Sequence, residues 1–85
     1  SPAFSIFPNP SSGLAKATVH AGRASLVTAE VIDRGGRVLQ CRQKDCAPDG
    51  SCSIALRGLH PGVYLVRVTP GTGPTLSGKL VVVGN

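Results

Sequence analysis

"LHPGVYLVRVT" occupies residues 59–69, and its reading decides the fold. His-Pro-Gly is a turn signal, because proline fixes φ and glycine accepts backbone conformations closed to other residues. After it the pattern alternates, with Tyr64, Val66 and Val68 on one face. A period of two marks a half-buried strand. A Tyr that leads into a late strand just after a turn also fits the tyrosine corner of β-sandwiches, where the phenol bonds back to upstream backbone. Tyr64 therefore reads as a satisfied core phenol more readily than as a ligand contact.

Outward from this strand the alternation repeats. Residues 3–7, "AFSIF", predict a first strand, and "FPNPSSG" at 7–13 turns the chain round a corner. Residues 14–20 set Ala15, Ala17 and Val19 against Lys16, Thr18 and His20, and Gly22 and Arg23 mark the next turn. Residues 25–33 set Val27, Ala29 and Val31 against Thr28 and Glu30. "DRGGR" at 33–37 is a tight-turn signal, with Asp33 placed to cap local N–H groups and the glycine pair tolerant of positive φ. A fourth strand is expected from Arg37 to Arg42, a fifth over 51–57 with Cys52, Ile54 and Leu56 inward, and a seventh over 77–83 after the "PGTGPT" loop. Seven short strands at intervals near ten residues predict an all-β fold, an antiparallel Ig-like β-sandwich.

Eighty-five residues make one small domain, near the lower limit for a self-sufficient core. The aromatics are only Phe4, Phe7 and Tyr64, so the core must be built from Val, Leu, Ile and Ala. The net charge is +5, but the nine bases are dispersed along the chain and no aromatics interleave with them. That spacing argues against nucleic acid as a partner. No apolar run approaches the roughly 20 residues of a membrane span, and no signal peptide is visible, so an exported protein would carry its signal upstream.

The three cysteines fall within "CRQKDCAPDGSC" at 41–52. Their spacings lack a zinc knuckle and a fourth ligand, so no metal is expected. One disulfide with one thiol left over is the plainer reading. Loop entropy separates Cys46–Cys52 from Cys41–Cys52 by only about 0.5 kcal/mol. The turn residues between Cys46 and Cys52 favour that pair, while Cys41 reads as a strand thiol that can be buried and inert. The Cys41–Cys52 alternative stays open.

The carboxylates are Glu30, Asp33, Asp45 and Asp49, two or three of them in turns, and no Ser lies in a nucleophile elbow. The chain therefore reads as a non-enzyme without cofactors. An Ig- or fibronectin-like accessory domain binding carbohydrate or a surface protein is the alternative, weakened by the lack of Trp. A stapled inhibitor would need "APDGS" as its reactive loop.

"FPNPSSG", "VIDRGGRVL", "LRGLHPGVYLVRV" and "SGKLVVV" follow one another in that order. The series resembles the C-terminal sorting domain of cargo exported by the bacterial type IX secretion system, in its type A form, over nearly the whole chain. The resemblance implies a single sorting domain over residues 1–85 behind a larger cargo domain that this sequence lacks. It implies passage through the periplasm and the outer-membrane translocon, and a cell-surface sortase that cleaves the domain and attaches or releases the cargo. It places the secretion signal in Lys79, Leu80, Val81, Val82 and Val83. Pro8, Asn9, Pro10, Gly13, Asp33, Gly36, Arg37, Gly62 and Tyr64 match the family's other motifs. The family usually ends on a basic residue, whereas this sequence ends Val83-Gly84-Asn85, which puts the terminal contact in question. "FPNPSSG" reads as a stiff junction to the cargo linker, and the last strand as an element for edge pairing with a receptor. An edge strand or the spare Cys gives a route to a dimer.

Overall fold

A computed structural model of the chain describes residues 3–20, 26–47, 49–71 and 74–84. Its strands are β1 (Ala3–Phe7), β2 (Leu14–His20), β3 (Leu26–Ile32), β4 (Val38–Asp45), β5 (Ser51–Arg57), β6 (Gly62–Pro70) and β7 (Leu76–Val82). They form two antiparallel sheets, ordered β1-β2-β5 and β4-β3-β6-β7. This is the expected all-β sandwich, and most strand bounds fall within a residue of those the alternation gives. The turn expected at Gly22 and Arg23 lies outside the described residues.

Alternation works because each inner face packs on the other sheet. Ala15, Ala17 and Val19 of β2 join Ile54 and Leu56 of β5 in one core with Val27, Ala29 and Val31 of β3. Tyr64, Val66 and Val68 of β6 and Leu80 and Val82 of β7 complete it. Each fully buried Val, Leu or Ile contributes about 1.5–3 kcal/mol, and aliphatic residues carry nearly all of the burial here. The outer faces stay polar where charges pair: Glu30 accepts from Arg67 across β3 and β6 at 2.8 Å.

The sides of the sandwich are closed by side chains. Gln40 of β4 donates to the Arg57 carbonyl at 2.7 Å, and Lys44 donates to the Ser53 carbonyl, so β4 covers the outer edge of β5. On the opposite side β1 lies against β7, with Phe4 and Ile6 directly over Gly78.

Two expectations need correction at β4. The strand continues to Asp45, so Gln43, Lys44 and Asp45 belong to the sheet and not to the cysteine loop. Cys41 is exposed and not buried. An edge strand has one neighbour, and here both faces of β4 remain largely open to solvent, which removes the alternation that would have marked its length.

Candidate functional site

Lys79 to Val83 form the second half of β7 and the residue after it. Their side chains divide by strand parity. Leu80 and Val82 point inward and are buried, at 0% and 3% exposure. Lys79, Val81 and Val83 take the other face; Lys79 and Val83 are exposed and Val81 half-buried. Register sets Lys79 beside Leu65 and Val81 beside Val63 of β6, both exposed apolar residues. A shallow groove of about 340 Å³ lies there, lined by Asp33, Arg34, Val63, Leu65 and Lys79. The outer face of β7 thus offers an apolar strip with a cationic end.

The outer edge of β7 is occupied by the chain itself. Asn9 Nδ2 donates to the Lys79 carbonyl at 2.7 Å, and Asn9 Oδ1 accepts from the Val81 N–H at 3.0 Å. Ser11 continues the pairing: its N–H donates to the Val81 carbonyl and its carbonyl accepts from the Val83 N–H, both at 2.8 Å. Ser11 is itself buried, in a short parallel bridge to Val82. The peptide bonds before Pro8 and Pro10 are both cis. Proline has no N–H to give an edge, so the carboxamide of Asn9 stands in for the missing peptide group. "FPNPSSG" is therefore a clamp on the last strand. Backbone edge pairing at 77–83, expected from the sequence, meets groups at Lys79, Val81 and Val83 that the clamp already holds.

The other motif residues build the turns at the same end. In the 33–37 hairpin, Asp33 Oδ1 accepts from the N–H groups of Gly35 and Arg37, both at 2.9 Å, and its backbone pairs with Arg37 and Gly36. Gly36 adopts φ +88°, the left-handed conformation that the turn demands. The Arg37 N–H foremost, aided by the Gly35 N–H and the Arg37 guanidinium 3.5 Å away, holds the Asp33 carboxyl below its ordinary value of 3.8 against a smaller desolvation effect. Gly13 bonds to the Ser11 hydroxyl at 3.2 Å, closing the clamp, and Gly62 opens β6. Tyr64 donates its hydroxyl to the His60 carbonyl, the bond its sequence context predicts.

Among the described residues, three of the four carboxylates serve structure. Glu30 is held by Arg67, Asp33 serves its turn, and Asp49 accepts from the Ser51 hydroxyl and N–H at 2.7 and 2.9 Å. Among the described residues, no group of three or more His, Cys, Asp or Glu could hold a metal ion. The three cysteines are thiols in the structure. Cys46 and Cys52 are buried, and burial first, then the neighbouring Cys46 thiol, pushes the Cys52 thiol up to about 11.

Of the three aromatics, Tyr64 is buried and Phe4 half-buried, but Phe7 is 74% exposed. Aromatic burial therefore does not by itself dispose of carbohydrate binding. The comparisons with known proteins favour the other reading. The family model described as the secretion system C-terminal sorting domain matches residues 5–83. No curated protein and no solved structure matches the chain.

Proposed function

The chain belongs to the family of secretion system C-terminal sorting domains, and from that premise we propose that its machinery reads the outward side chains of β7 and not the strand's backbone edge. The domain is the C-terminal sorting signal of a type IX secretion cargo, and that role implies contact with the secretion machinery, a cargo domain, and export to the surface or beyond. The family is not one of enzymes.

Lys79, Val81 and Val83 carry recognition in this reading, flanked by Val63 and Leu65, while Leu80 and Val82 hold the strand in the core. One observation supports it above the rest: the clamp of Asn9 and Ser11 holds the outer-edge carbonyls of Lys79 and Val81 and the N–H groups of Val81 and Val83. A receptor meeting the folded domain therefore finds side chains there and no open ladder. The remaining motif residues maintain this end of the sandwich. Passage through the periplasm and outer membrane, followed by cleavage from the cargo by a surface sortase, completes the proposal.

The test is an export assay in a bacterium with a type IX system, using a periplasm-targeted fluorescent reporter fused ahead of residues 1–85. Lys79→Glu with Val81→Lys should leave the circular dichroism spectrum unchanged and keep the reporter in the periplasm. A folded double variant that reaches the surface or medium as the parent does would overturn the assignment.

A further inference from the structure

We propose that Cys46 and Cys52 form a redox-set staple between the two sheets, leaving Cys41 as a solvent-facing thiol. The argument is geometric. Cys46 directly follows β4 of the four-stranded sheet, and Cys52 is the second residue of β5 in the three-stranded sheet. The turn between them is closed by the Ala47 N–H on the Ser51 carbonyl at 2.9 Å and by the Gly50 N–H on the Ala47 carbonyl at 2.8 Å. Residues 47 and 51 are thus a bonded pair, so the next pair out, 46 and 52, faces across the turn. Both side chains are buried in the shared core. Cys41 sits opposite Glu30 in the β3–β4 ladder, exposed. Its position in that ladder sets it apart from the facing pair.

The oxidation is a thiol–disulfide exchange. A low-molecular or protein disulfide accepts two electrons and two protons and leaves as two thiols, while Cys46 and Cys52 lose both S–H bonds and gain one S–S bond. Thiolate is the attacking species and must reach a sulfur of the oxidant, and in the fold both Cys46 and Cys52 are buried. Exchange therefore runs fastest on the open chain, and the folded reduced domain reacts slowly. Once closed, the short loop restricts the unfolded ensemble and joins the sheets on the side where Gln40 and Lys44 bridge their edges.

The experiment refolds the 85-residue chain with glutathione disulfide and compares it with the same chain kept in a strong dithiol reductant. The expected product is a monomer 2 Da lighter, with one alkylatable thiol that maps to Cys41 and a peptide linking Cys46 to Cys52. On loop entropy its Tm should exceed that of the reduced chain by roughly 10 °C. Folded protein exposed to the same oxidant should close at least tenfold more slowly. A Cys41–Cys52 or Cys41–Cys46 link, a dimer through Cys41 with the other two thiols reduced, or three alkylatable thiols after refolding would each overturn the proposal. The parent chain supplies both arms, so no substitution has to be tolerated.

Discussion

Asn9 stands between two residues that have no N–H to offer, and its own side chain makes the pairing that a peptide group would make. Asn9→Ala removes both bonds at an exposed edge where water can replace them. The expected loss is about 1–2 kcal/mol of stability, read by urea denaturation with an unchanged m-value. Asn9→Asp keeps an acceptor for the Val81 N–H but turns a carboxylate toward the Lys79 carbonyl, so it should not restore the parent stability. A loss below about 0.3 kcal/mol for Asn9→Ala would mean that Ser11 alone holds the edge. The sequence gives Tyr64 and Asp33 correct structural roles because their partners lie four or fewer residues away. The role of Asn9 is hidden there, since its partners lie 70 and 72 residues downstream.

Among the elements, strands with one buried face announce themselves, and β2, β3, β5 and β6 follow from alternation alone. At β4 the rule fails, because an edge strand with both faces open has no reason to alternate. The division of β7 into inward Leu80 and Val82 and outward Lys79, Val81 and Val83 is legible in outline, but its covered edge is not. The contact between β1 and β7 also escapes the sequence, for it depends on an absent side chain. A Cβ built at Gly78 would lie 3.2 Å from Phe4 Cε2 and 3.3 Å from Ile6 Cδ1. Alanine there requires Phe4 and Ile6 to give by a few tenths of an ångström, which half-buried side chains can do. Gly78→Val adds two more methyl groups and should cost about 1–3 kcal/mol by overpacking. Hydrogen exchange should localise the change to residues 3–7, and loss of protection elsewhere with β1 intact would contradict this packing.

For the whole molecule, acid is the informative perturbation. Asp33 and Asp49 are both held below their ordinary value of 3.8, Asp33 chiefly by the Arg37 N–H and Asp49 chiefly by the Ser51 hydroxyl. A carboxyl depressed in the folded state contributes stability that is fully present above its unfolded value and lost as pH falls through the folded one. Stability should therefore be level from neutral pH down to about pH 5 and decline below 4. Asp33→Asn should flatten part of that decline, as followed by Tm against pH; an unaltered acid limb would remove the turn from the account. The fold class follows from the sequence because one face of most strands must be dry. The way in which its two ends meet is set by hydrogen bonds that leave no periodic trace.

That meeting has a consequence in time. A contact spanning 70 residues must first meet the entropy of closing so long a loop, whereas the β3–β4 hairpin closes over a few residues. The Asn9 clamp therefore forms after the rate-limiting step, with a φ-value near zero. Interactions made that late act on the escape rate alone: loss of Asn9 should leave the folding limb of the chevron in place and raise the unfolding limb without changing its slope. The lifetime of the last strand in its displayed position is thus governed by a residue near the other end of the chain.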